Sequence, residues 1–139
     1  MHSHDEGMLI KLSESAETVS RTDEDIRGRD VRDPDGEDLG TIRDLLVDDD
    51  QGKVRFIEVA SGGFLGIGQD MTFIPVDAIT SITDDEVRID QTREHVIGAP
   101  VYDPELVRQR ETYGGILDYY GVGPFWAPGY QYPSYPYYR

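Results

Sequence analysis

Carboxylates dominate the residues of this chain that could do chemistry, and their spacing limits what they can do. Asp33, Asp35 and Asp38 flank Gly36 much as acidic residues flank the glycine of a calcium loop. Taking Gly36 as the sixth loop position, however, puts Val31 first and Ile42 twelfth, where an Asp and a bidentate Glu are required. Asp48, Asp49 and Asp50 fail the same test, since Gly52 places Val47 first. His2 and His4 stand beside Asp5 and Glu6, a donor set that suits a divalent cation, but a chain end is too pliable to make a rigid site. His95 has no serine or cysteine nearby to activate and is expected to pack or hydrogen-bond.

Two further segments invite a chemical reading. Glu58 lies among apolar neighbours in VRFIEVA. Turned inward it would have a raised pKa and be available for acid–base work. Turned outward beside Arg55 it is a surface charge, and that simpler placement is expected. The run Gly62-Gly63-Phe64-Leu65-Gly66-Ile67-Gly68 lacks the Lys and Ser/Thr of a phosphate loop and leads into a strand-like segment, so a hairpin loop is expected. Phe64, Leu65 and Ile67 either fold back onto the core or form an exposed contact patch. No nucleophile, base and orienting group assemble from adjacent motifs. The expectation is therefore a non-enzyme with no cofactor and no metal.

Composition narrows the partners. The chain has 139 residues, enough for one domain with extensions, and a formal net charge of −15 from 28 acidic and 13 basic side chains. Such a surface repels phosphate backbones and anionic lipid, so neither nucleic acid nor membrane is an expected partner. Cysteine is absent, which excludes disulfides, thiolate metal sites and thiol catalysis within these residues. The N-terminal MHSHDEGMLIKLSES lacks a basic stretch followed by an apolar core, and no apolar run approaches a membrane span. A cytoplasmic setting is the default.

The elements that must position these residues are mainly strands. Residues 1–25 are a polar extension with one short apolar stretch, Met8 to Leu12, that reads as a strand or docking segment. From residue 26 to 100, short β-rich runs alternate with turns. Asp33-Pro34-Asp35-Gly36 is a turn in which Pro presets φ, Asp bonds its own backbone and Gly accepts a positive φ. The period-two pattern of Val54, Phe56, Ile57 and Val59 slips by one residue, as at a β-bulge. The spacing predicts five or six strands in a closed or nearly closed barrel. Thr92 is a candidate N-cap for one helical turn ending at Gly98, and Pro104 to Thr112 reads as a second short helix within the 101–112 linker.

Residues 113–139 are a Tyr/Gly/Pro-rich tail holding eight of the nine tyrosines and the only tryptophan. Its prolines favour extended or turn conformations. Tyr119, Tyr120, Phe125, Trp126, Tyr130 and Tyr132 are candidate contact residues, because aromatic side chains bury large area at low entropy cost.

RGRDVRDPDGEDLGTIRDLLVDD, with Gly28, Gly36, Gly40 and Asp44, and KVRFIEVASGGFLGIGQDMTFIPVDAI together resemble the PRC-barrel family, over about residues 26–89. That family is named for the H subunit of the photosynthetic reaction centre and is shared with a ribosome maturation factor. HVIGAPVYDP and the aromatic tail are similar to a stand-alone bacterial subgroup. The resemblance implies an all-β fold, a small PRC-type barrel with short helical turns and an irregular aromatic tail. Neither well-known role is expected to transfer, since residues 1–25 supply neither a membrane helix nor a further β-domain. What the resemblance implies for function is a non-catalytic protein-docking surface, with a partner protein or a second copy of the chain. The alternative is a protein that binds a small ligand or a divalent cation through the glycine loop and acidic turns.

Overall fold

The computed structural model describes residues 9–12, 25–48, 53–62, 69–99, 109–133 and 135. Within them seven strands form one mixed sheet: β1 (Leu9–Lys11), β2 (Asp30–Arg32), β3 (Asp38–Asp48), β4 (Val54–Gly62), β5 (Gln69–Pro75), β6 (Ile79–Ile82) and β7 (Glu86–Ile89). The order is β5-β4-β3-β2-β7-β6, with β1 also paired to β3. Among the described residues no ladder joins β5 to β6, so the barrel-like sheet is open rather than closed. From residue 26 onward the six strands β2 to β7 agree with the expected five or six, and the Met8 to Leu12 stretch, expected as a strand or docking segment, supplies β1 as a seventh.

β3 organises the sheet. Its 11 residues take β4 along one edge, while the other edge is shared by β2 near its start and β1 near its end. Two bulges interrupt the β3–β4 ladder. Ile42 pairs with Val59 and Asp44 with Glu58, leaving Arg43 as the extra residue; Leu46 pairs with Phe56 and Val47 with Val54, leaving Arg55 extra. The slip expected near Val54 to Val59 is therefore a bulge, centred on Arg55. Leu45, Leu46, Phe56, Ile57, Val59, Ile74 and Val87 form the centre of the core, all fully buried.

The turn before β3 forms as its residues dictate. Asp33 Oδ1 accepts from the N–H groups of Asp35 (2.9 Å) and Glu37 (2.8 Å), and Gly36 takes φ +85°. Its other oxygen accepts from the Arg93 N–H at 3.0 Å, tying the turn to the start of α1 (Arg93–Ile97). Burial would raise the Asp33 pKa, but the N–H donors of Glu37, Arg93 and Asp35 outweigh it and hold it below the usual carboxylate range. Both carboxylate oxygens are thus engaged in structure. Thr92 caps α1 by accepting from the His95 N–H at 3.1 Å, and Gly98 ends the helix.

α2 spans Arg110–Tyr119 and runs into the tail, whereas the helix expected over Pro104 to Thr112 falls mostly on residues 100–108. Residues 100–108 lie outside the described residues. Tyr113, Ile116, Leu117 and Tyr120 recur at one helical face and are all buried in the core; Gly114 and Gly115 obscure that period in the sequence. Beyond α2 the tail is irregular. Ile116→Ala should destabilise the whole domain by about 2–5 kcal/mol, as at any buried core position. Urea unfolding measures it, and a change below about 0.5 kcal/mol would detach α2 from the core.

Candidate functional site

The site is built around Arg55. As the bulged residue it has no partner in the β3–β4 register, and the β4–β5 ladder begins only at Phe56 opposite Pro75. A bulge re-aims the side chain it carries, and here Arg55 is only 3% exposed. Its charge is met by Asp48 at the end of β3, with Nη2 to Oδ2 at 3.1 Å. An ion pair this buried is a poor source of net stability but costs a great deal to break.

The tail covers the rest of the guanidinium. α2 ends in a Schellman arrangement, with Gly121 at φ +72°, its N–H donating to the Asp118 carbonyl and the Val122 N–H to the Leu117 carbonyl. The chain then turns at Ala127-Pro128-Gly129-Tyr130, where Gly129 adopts φ +85° and the Tyr130 N–H donates to the Ala127 carbonyl at 3.2 Å. These turns lay Phe125 over Arg55 at 4.2 Å, with Tyr132 at 5.3 Å and Tyr130 at 5.9 Å. Phe125 also stacks on Tyr113 (5.5 Å), and Tyr113 reaches Phe56 (6.1 Å), the residue beside Arg55.

Hydroxyls fix the tail's position. Tyr130 donates to Asp77 Oδ2 at 2.6 Å, and Tyr132 donates to the Val54 carbonyl at 2.9 Å. Asp77 lies in the 3-10 turn Val76–Ala78, which follows Pro75 where β5 ends. Lys53 Nζ sits 4.8 Å above the Tyr132 ring. Burial pushes the Asp77 carboxyl up against the opposing effect of the Tyr130 hydrogen bond. Burial and the bond to Asp77 together push the Tyr130 hydroxyl far up, so it stays a donor at any physiological pH.

The candidate contact residues therefore divide into groups. Phe125, Tyr130 and Tyr132 gather around Arg55, with Trp126 edge-on to Phe125 and beside Arg110. Tyr119 and Tyr120 join His95 instead: Tyr119 stacks on its ring at 4.3 Å and donates to its carbonyl at 2.7 Å, and Tyr120 meets the ring edge-on at 5.6 Å. Phe64, Leu65 and Ile67 lie outside the described residues, as do His2, His4, Asp49 and Asp50. Trp126 is 39% exposed. Its ring is nonetheless held by Phe125 (5.0 Å) and Tyr113 (5.6 Å), with the Arg110 guanidinium at 4.6 Å.

Sequence reasoning did not single out Asp48 or Asp77 for this face, or Arg55 except as a neighbour of Glu58. The bulge slip was the one local signal pointing at Arg55; the partners come from distant segments. Glu58 itself corrects an expectation. It is 3% exposed, not outward beside Arg55, and meets Lys11 of β1 at 3.6 Å. Burial pushes its carboxyl up and Lys11 opposes, while Asp44, its partner across the ladder, adds to the rise.

Among the described residues no group of three or more His, Cys, Asp or Glu is placed to hold a metal, and no helix is long and apolar enough to cross a membrane. The fold is a small open β-barrel carrying buried charges. The family model for the PRC-barrel domain matches residues 20–96, more than half of the chain, and the chain belongs to that family, one of protein-interaction modules. Among curated proteins none matches the chain. β1, α2 and the tail all lie beyond the matched residues.

The raised pKa of Glu58 has a definite sign. A raised folded-state value means the stability that goes with the protonated acid is present below the unfolded value and lost as pH rises through the folded one. Wild type should therefore lose stability relative to Glu58→Gln as pH climbs from about 4 toward neutrality. Paired thermal melts across that range check it, and a wild type that instead gains stability relative to Glu58→Gln as pH rises would reverse the assignment.

Proposed function

We propose that this chain is a non-enzymatic protein-interaction module whose barrel is a rigid scaffold and whose docked aromatic tail makes the contact. Trp126 carries the reading. It is a large aromatic presented outward while its ring is wedged among Phe125, Tyr113 and Arg110. Little side-chain freedom remains to be lost on binding, which is the property of an interface anchor. Ile97, 62% exposed at the end of α1, is the other large apolar side chain left outside the core among the described residues. With a net charge of −15, the complementary partner is a protein that surrounds an apolar pocket with basic groups. No cofactor, metal, nucleic acid or lipid enters this reading.

The tail cannot simply be cut away to test this, because truncation at residue 113 removes buried Tyr113, Ile116 and Leu117. Trp126→Ala leaves that core intact. It should keep the wild-type circular dichroism and weaken capture of the partner by about tenfold or more, the range of an aromatic hot spot. Affinity capture with the two chains side by side is the measurement. An unchanged set of partners at unchanged affinity would remove the tail from recognition.

A further inference from the structure

The tail is an irregular segment seated on a preformed face of its own barrel, and the links that seat it are made by side chains. Phe125 covers Arg55, Tyr130 donates to Asp77, and Tyr132 donates to the Val54 carbonyl under Lys53. The receiving groups all belong to β4 or the 3-10 turn after β5, apart from Lys53, which precedes β4. We infer that this face is a peptide-binding site for residues 124–132 of this chain, and that it accepts them from a second copy as well as from its own, joining two chains by tail exchange.

Three observations carry this, and it rests on the reading of the barrel as a protein-docking scaffold. The occupant is known, because the segment that fits is already in place, and an identical segment from another copy would make the same contacts. Exchange then trades one set of bonds for an equal set, and concentration sets the balance. The hinge is also present. Gly121 and Gly123 have open space where a side chain would stand, and Gly121 is in the left-handed region. The chain can re-aim there while α2 stays buried in its own core. Release breaks no helix or strand, since residues 121–133 belong to neither.

The absence of cysteine makes a clean test available. Asp77→Cys and Tyr130→Cys chains are mixed at high concentration and treated with a short bismaleimide. The expected product is a covalent heterodimer linking position 77 of one chain to position 130 of the other, with a yield that rises with concentration. The double variant Asp77→Cys/Tyr130→Cys, cross-linked within one chain when dilute, shows that the reagent spans the two positions. Absence of the heterodimer while the double variant cross-links overturns the exchange. So does an equal yield when exposed Ile97→Cys replaces Asp77→Cys, since collision alone would then account for it. Capture left unchanged by Trp126→Ala would strike the interaction reading, whereas failure of the heterodimer while capture still depends on Trp126 strikes only the exchange.

Discussion

A buried guanidinium sets the terms for much of this molecule. Arg55 is removed from water by a bulge that turns it away from the ordinary pleat, and a charge so placed must be met on several sides. Asp48 supplies the counter-charge through the hairpin, and Phe125, Tyr130 and Tyr132 supply π-faces from far along the chain. Cation–π contact of this kind is worth about 0.5–2 kcal/mol per ring, more as the cation is desolvated. The tail is thereby bound to the barrel by a specific electrostatic demand as well as by apolar area.

Glu58 shows the same logic with opposite sign. It too lies on β4, buried and faced by a second carboxylate, Asp44, across the ladder. Its compensating charge is Lys11 on β1, at the other end of the chain. Both segments that attend these charges fall outside the residues matched by the PRC-barrel family model. The family region provides the sheet, and the flanking segments provide partners for charges that the sheet buries. Trp126 stands exposed on one of those flanking segments, beside Phe125, Tyr130 and Tyr132, which lie over Arg55.

Much of the sheet was legible because its signals are local. Asp33-Pro34-Asp35-Gly36 acts through its own backbone, Thr92 caps the next turn, and the slipped alternation between Val54 and Val59 marks the stretch in which a bulge is found. Signals failed where the decisive partner was remote. Glu58 was expected outside because Arg55 is its neighbour in sequence, yet Lys11 is its neighbour in space. α2 was missed because Gly114 and Gly115 weaken helix propensity locally, while burial of Tyr113, Ile116 and Leu117 overrides that weakness.

Taken alone, the order of residues determined the β character, the turns, the family resemblance and the abundance of rings near the C-terminus, since each is written in spacings of a few positions. Only the tertiary structure decided what those rings do. An aromatic, proline-punctuated segment has no internal reason to choose between solvent and a surface, and the choice is made by a buried cation and a carboxylate that chain folding brings beneath it. Pairing over such sequence distances depends on where β4 and the 3-10 turn end up in space, and no local pattern carries that information.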